Sequence, residues 1–163
     1  MKNYLSLIPY FLLIIVFTLT LLSCSNNSTS TDMEQPEDEP QTEAGITLEN
    51  SGANSYLVTN ITGDGADSEL DSPNATITLE VGGRYTFVND AGASSHPLDF
   101  RNSDRVKLLG QSNSSGSFDD NSEVNVIRNG DMISFTLTEG LSEELFDYIC
   151  SFHPPMNGRI SIE

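Results

Sequence analysis

Eight short segments constrain this chain more than anything else in it. Residues 45–48, 55–59, 75–80, 84–88, 123–127, 132–137, 145–149 and 159–162 alternate or run apolar, and β-branched or aromatic residues dominate them. Ala75-Thr-Ile-Thr-Leu-Glu80 and Arg84-Tyr-Thr-Phe-Val88 are the clearest. A period of two with such side chains predicts strands half-buried against a core. Gly63-Asp-Gly65, Gly82-Gly83, Asn129-Gly130 and Asn157-Gly158 supply the turn signals between them. No stretch carries a helical period beyond a turn or two, and residues 138–144 have room for one turn. About eight short strands at this spacing predict an all-β fold, a sandwich or barrel. Residues 102–121 are rich in Ser, Gly and Asp and are expected to form mostly a long polar excursion. Asn74-Ala-Thr76 matches a glycosylation sequon.

The chain begins Met1-Lys2-Asn3, continues as an apolar run over residues 4–22, and then reads Ser23-Cys24. A basic start, an apolar core and a small residue before the break predict a secretory signal over residues 1–23. Leu21-Leu22-Ser23-Cys24 resembles the lipobox of bacterial lipoproteins, which implies lipidation of Cys24 as the first mature residue. An uncleaved anchor helix is the alternative, since the run is nearly long enough to span a bilayer. On either reading the folded part is exported and membrane-tethered, on the periplasmic or cell-surface side. Residues 24–44 contain Asp32, Glu34, Glu37, Asp38, Glu39 and Glu43, no base, and little to bury. They are expected to be an acidic disordered tether. Residues 45–163 then suit one domain.

That domain holds 18 of the 24 acids and six of the seven bases, a formal charge of −12. Such a surface repels nucleic acid and anionic lipid and attracts cationic proteins. Solubility or adaptation to salt explains it equally well.

The densest chemistry lies at the end of the chain, in Cys150-Ser-Phe-His153-Pro-Pro-Met156. The other histidine is His96, in Ser95-His96-Pro97-Leu98. If lipidation consumes Cys24, Cys150 is a lone thiol in an oxidising compartment, where disulfides are favoured. Intermolecular pairing, a disulfide to Cys24 and a metal ligand are the three readings. The neighbouring His and Met favour the metal. Two histidines, a cysteine and a methionine are the donor set of a mononuclear blue-copper site. Zinc prefers four strong N or S ligands and finds three here. Met156 as core filler, and Phe152, Pro154 and Pro155 as mere loop stiffeners, are the local alternatives.

These residues resemble the cupredoxins (plastocyanin, azurin, pseudoazurin, amicyanin). The strand, strand and histidine order of Thr76-Ile-Thr-Leu-Glu80, Tyr85-Thr-Phe87 and His96-Pro-Leu98 carries the resemblance, together with Tyr148-Ile-Cys150-Ser-Phe-His153-Pro-Pro-Met156-Asn-Gly158. The two-residue gaps around His153 look most like the short loop of amicyanin. The resemblance covers roughly residues 75–162 and implies a Greek-key β-sandwich. It also implies one copper held by His96, Cys150, His153 and Met156, cycling between Cu(I) and Cu(II). Phe152, Pro154 and Pro155 would then collar His153 where an electron partner docks. The implied function is monomeric, non-enzymatic electron transfer between redox proteins, such as a basic c-type cytochrome or a membrane oxidoreductase. Copper storage, delivery or sensing is the alternative, but the mature region has only Met33, Met132 and Met156 and no methionine cluster. One departure stands out. Pro97 occupies the position after the first histidine, where many members of the family have Asn. It has no N–H to give the cysteine sulfur, which predicts a lower potential unless the Phe152 N–H substitutes.

Overall fold

The computed structural model describes residues 41–163. The secretory signal, the lipidation position Cys24 and most of the tether fall outside them. The chain forms β1 (Glu43–Ser51), β2 (Ser55–Gly63), β3 (Ala66–Ser68), β4 (Ile77–Leu79), β5 (Arg84–Asn89) and β6 (Leu98–Arg101). Then come β7 (Lys107–Gly110), β8 (Ile127–Asn129), β9 (Met132–Thr136), α1 (Glu139–Glu144), β10 (Asp147–Cys150) and β11 (Asn157–Ile162). The fold is all-β. One five-stranded sheet has the order β2-β1-β5-β9-β8, and a six-stranded sheet the order β3-β4-β11-β10-β6-β7. The β1–β5 and β11–β4 pairs are parallel, so both sheets are mixed.

The alternation seen in the sequence places the core. Ala44, Ile46 and Leu48 of β1, and Tyr85, Phe87 and Asn89 of β5, are buried on one face while their neighbours are not. Phe87 and Phe135 of the first sheet meet Phe100 of the second, at centroid distances of 4.9 Å (Phe87–Phe100) and 5.0 Å (Phe100–Phe135). Tyr56 and Tyr148 make a second cross-sheet contact at 6.1 Å. Aromatic pairs of this geometry add about 0.5–1.5 kcal/mol beyond their burial. They hold the sheets together at the level just below the ligand-bearing loops.

Four expectations are corrected. Among the described residues the strands number eleven rather than about eight: β3, β6 and β7 are additional. The first strand starts at Glu43, two residues before the expected start at Gly45. Residues 123–126 are not strand, and β8 starts only at Ile127. Asn125 has φ 47°, and the Asn121 side chain accepts from the N–H groups of Glu123 and Val124, which makes a turn; Val124 still reaches the core from it. Finally, residues 102–121 are not a free excursion. Leu108 and Leu109 are fully buried, β7 pairs with β6, and the segment folds back through Phe118 N–H to the Leu108 carbonyl at 3.0 Å.

Asn157-Gly158 is strand rather than turn. Gly158 lies opposite Tyr148 in the β10–β11 ladder, and a Cβ there would run into the Tyr148 ring. The glycine is needed for close approach, not for a bend. The single helical turn expected over residues 138–144 is present as α1. Thr138 caps it by accepting from Leu141 N–H, and Leu141 is buried beneath it.

Candidate metal centre

Two loops converge at one end of the sandwich. The first leaves β5 at Asn89, crosses to the other sheet and enters β6 at Leu98. The second joins β10 to β11. Leu98 and Cys150 are paired residues of adjacent antiparallel strands, so His96, two residues before Leu98, arrives beside Cys150.

The β10–β11 loop is compact because its own backbone closes it. Cys150 N–H donates to the Met156 carbonyl, Met156 N–H to His153 O, and both distances are 2.9 Å. Ser151 N–H donates to Pro97 O at 2.9 Å, which ties this loop to the histidine loop. The Ser151 hydroxyl donates to Asp99 at 2.6 Å, and Asn74 Nδ2 donates to Pro155 O at 3.0 Å.

Cys150 is a free, buried thiol. Its Sγ lies 3.4 Å from Nδ1 of His153 and 3.9 Å from Nδ1 of His96. The two rings are 4.7 Å apart between centroids. One donor atom from each of the three residues falls within 4.8 Å of the other two, so the group can hold a metal ion. Met156 is fully buried, at the far end of the loop and hydrogen-bonded through its backbone to Cys150 and His153. Phe152 is 62 % exposed. Pro154 and Pro155 are also exposed and His153 is half-buried, whereas Pro97 is buried. The hydrogen-bond contacts of Sγ include no backbone N–H, that of Phe152 included. Burial and the adjacent His153 hold His96 below its ordinary value of 6.5. Its imidazole is therefore neutral at physiological pH, the form that ligates metals.

The side chains that fix His96 were not legible in the sequence. The His96 carbonyl accepts from Tyr56 Oη at 2.6 Å and from Asn89 Nδ2 at 2.7 Å. Asn89 Nδ2 also reaches Gln111 Oε1 at 2.8 Å, and that oxygen accepts from Leu98 N–H at 3.1 Å. Tyr56 and Asn89 are fully buried, and Gln111 is 4 % exposed. Burial, followed by the nearby charge of Cys150, pushes the Tyr56 phenol well above its usual range, so it stays a donor. Gln111 comes from the end of the polar segment 102–121, which gives that segment a place in the site. Nothing in the chain's spacing signals these long-range bonds. Asn74 is a brace: its φ of 54° turns the chain so that Oδ1 accepts from Tyr56 N–H and Nδ2 reaches the Cys150–Met156 loop.

Asn89→Ala is expected to weaken metal binding about 10- to 100-fold, the usual cost of losing a group that orients a ligand. Competition with a chelator of known affinity measures the loss. A urea melt of the metal-free variant should show a separate stability cost of about 1–3 kcal/mol from unpaired buried groups. No protein-family model matches the chain, and no curated protein matches it.

Proposed function

We propose that this chain is a type 1 copper protein of the cupredoxin kind, with Greek-key connections between its strands, that carries single electrons outside the cytoplasm. The observation that carries the reading is the convergence of His96 Nδ1 and His153 Nδ1 on the buried Cys150 Sγ. One soft thiolate and two neutral imidazoles make a trigonal set acceptable to both Cu(I) and Cu(II). Met156 would supply the weak axial thioether. Copper bound there would supply the one-electron chemistry. The chain supplies the rest: a buried sulfur, two loops tied by backbone hydrogen bonds, and, among the described residues, no fourth strong ligand in the group to draw the metal toward zinc-like tetrahedral binding.

His153, like His96, is half-buried. Phe152, Pro154 and Pro155 around it form an exposed, stiff, apolar rim suited to brief contact with a redox partner. Lipidation at Cys24, with residues 24–40 as a spacer, would hold this rim near a membrane oxidoreductase or a soluble carrier such as a c-type cytochrome. The domain would act as a monomer. Cyclic voltammetry of the copper-loaded chain is expected to give a fast, reversible one-electron wave. Tight copper binding with sluggish, irreversible cycling would favour copper storage or delivery instead.

A further inference from the structure

Positive charge in this acidic domain is not scattered. Four of its six bases, Arg101, Arg105, Lys107 and Arg159, line two adjoining cavities of about 400 and 500 Å³ that share Arg101, Arg105, Ile149 and Pro154. We infer that this groove is a binding site for a multivalent oxyanion, with carboxylate or phosphate groups, set against the flank of the Cys150–Met156 loop.

Arg101, Arg159 and Lys107 each have a side-chain partner, while Arg105 is placed by its backbone. Arg101 forms a two-pronged pair with Asp147, Nε to Oδ1 at 3.0 Å and Nη2 to Oδ2 at 2.7 Å. Arg159 lies over the Phe146 ring at 3.5 Å from its centroid, which orients its N–H edge without using it. Arg105 sits at φ 67° in a turn that Asn102 Oδ1 closes by accepting from the N–H groups of Asp104 and Val106. Lys107 pairs with Asp99 at 2.8 Å. Both groove carboxylates are paired, Asp147 through both oxygens and Asp99 through Oδ2 while its Oδ1 has no partner, and Arg105 and Arg159 pair with no carboxylate among the described residues. Two unneutralised guanidiniums remain in a concave site on a domain with 18 acids. Guanidiniums match oxyanions in shape and charge, and holding Arg101 and Arg159 in place beforehand removes part of the entropy cost of binding. The inference needs no bound metal and does not rest on the copper reading.

The test is an NMR titration of the full chain with citrate and, separately, with inorganic phosphate, each against sodium chloride at matched ionic strength. Saturable shifts are expected at the side-chain N–H groups of Arg101, Arg105 and Arg159 in the low-millimolar range. Arg105→Gln with Arg159→Gln should weaken binding at least about tenfold while leaving the folded spectrum intact, since both side chains are exposed. Citrate tighter than phosphate assigns the site to polycarboxylates, and the reverse order assigns it to phosphate compounds. Shifts that track ionic strength alone, or affinity unchanged in the double variant, would overturn the proposal. Running the titration on the metal-free chain and on metal-free Cys150→Ser, with the same affinity expected in both, keeps the result separate from the fate of the metal site.

Discussion

Cys150→Ser should abolish tight copper binding and leave no intense visible absorption on addition of Cu(II). A serine hydroxyl stays protonated near neutral pH and is a hard, weak donor. The thiolate is the soft ligand of the set, and its charge transfer to Cu(II) is the source of the colour. The swap changes one atom in a buried position, so the fold should persist at a cost of about 1–3 kcal/mol if the hydroxyl finds no partner. A urea melt of the metal-free variant checks that the loss of colour is not loss of structure. His153→Ala is the companion variant, because its half-buried side chain contributes less to the core. It should also bleach the site. Retained colour in Cys150→Ser would mean that the metal sits elsewhere.

The second large effect is expected far from any ligand. Phe135→Ala should destabilise the protein by about 3–5 kcal/mol, the usual cost of emptying an aromatic site in a packed core. Phe135 is fully buried and touches both Phe87 and Phe100, so its removal loosens the contact between the two sheets. Total stabilities are commonly about 5–15 kcal/mol, and the variant would lie close to the unfolding threshold. Phe152→Ala is the control. Phe152 is mostly exposed, and its loss should change stability by less than about 0.5 kcal/mol. Equal urea midpoints for the two variants would contradict this description of the core.

The strands that were legible in the sequence are those with one buried and one solvated face, such as Arg84–Asn89, because alternation records that asymmetry. The missed strands lack it. Leu98, Asp99 and Phe100 of β6 are all buried, as are three of the four residues of β7, so no period of two is left to read. Polar residues in β6 and β7 hid them further, because Asp99 and Lys107 neutralise each other across paired strands. The reverse error at residues 123–126 arose from valines that look like a strand but pack from a turn. At the site, the three residues that can together hold a metal ion were legible, because Cys and His are scarce and two of the three lie close in sequence. Tyr56, Asn74, Asn89 and Gln111 were not, since an ordinary polar residue gives no sign of the distant carbonyl or amide it will meet. Pro97 was read as a lost donor to the sulfur. The structure adds that its carbonyl accepts from Ser151 N–H, so the residue still joins the two loops.

The acidity of the surface also reads differently with the fold in hand. The net charge speaks for a cationic partner at long range, but most of the domain's bases stand beside the ligand loop. Within a Debye length of about 8 Å at physiological salt, a molecule approaching that flank meets local positive charge. Charged molecules can therefore be sorted by which side of the metal end they approach.

The most direct measurement is a Cu(II) titration of the reduced, metal-free chain followed by visible absorption and electron paramagnetic resonance. The account predicts an intense blue band that rises linearly and stops at one equivalent, with the narrow copper hyperfine splitting of a thiolate-bound site. A colourless protein, or a spectrum of ordinary nitrogen- and oxygen-bound copper that Cys150→Ser leaves unchanged, would contradict it.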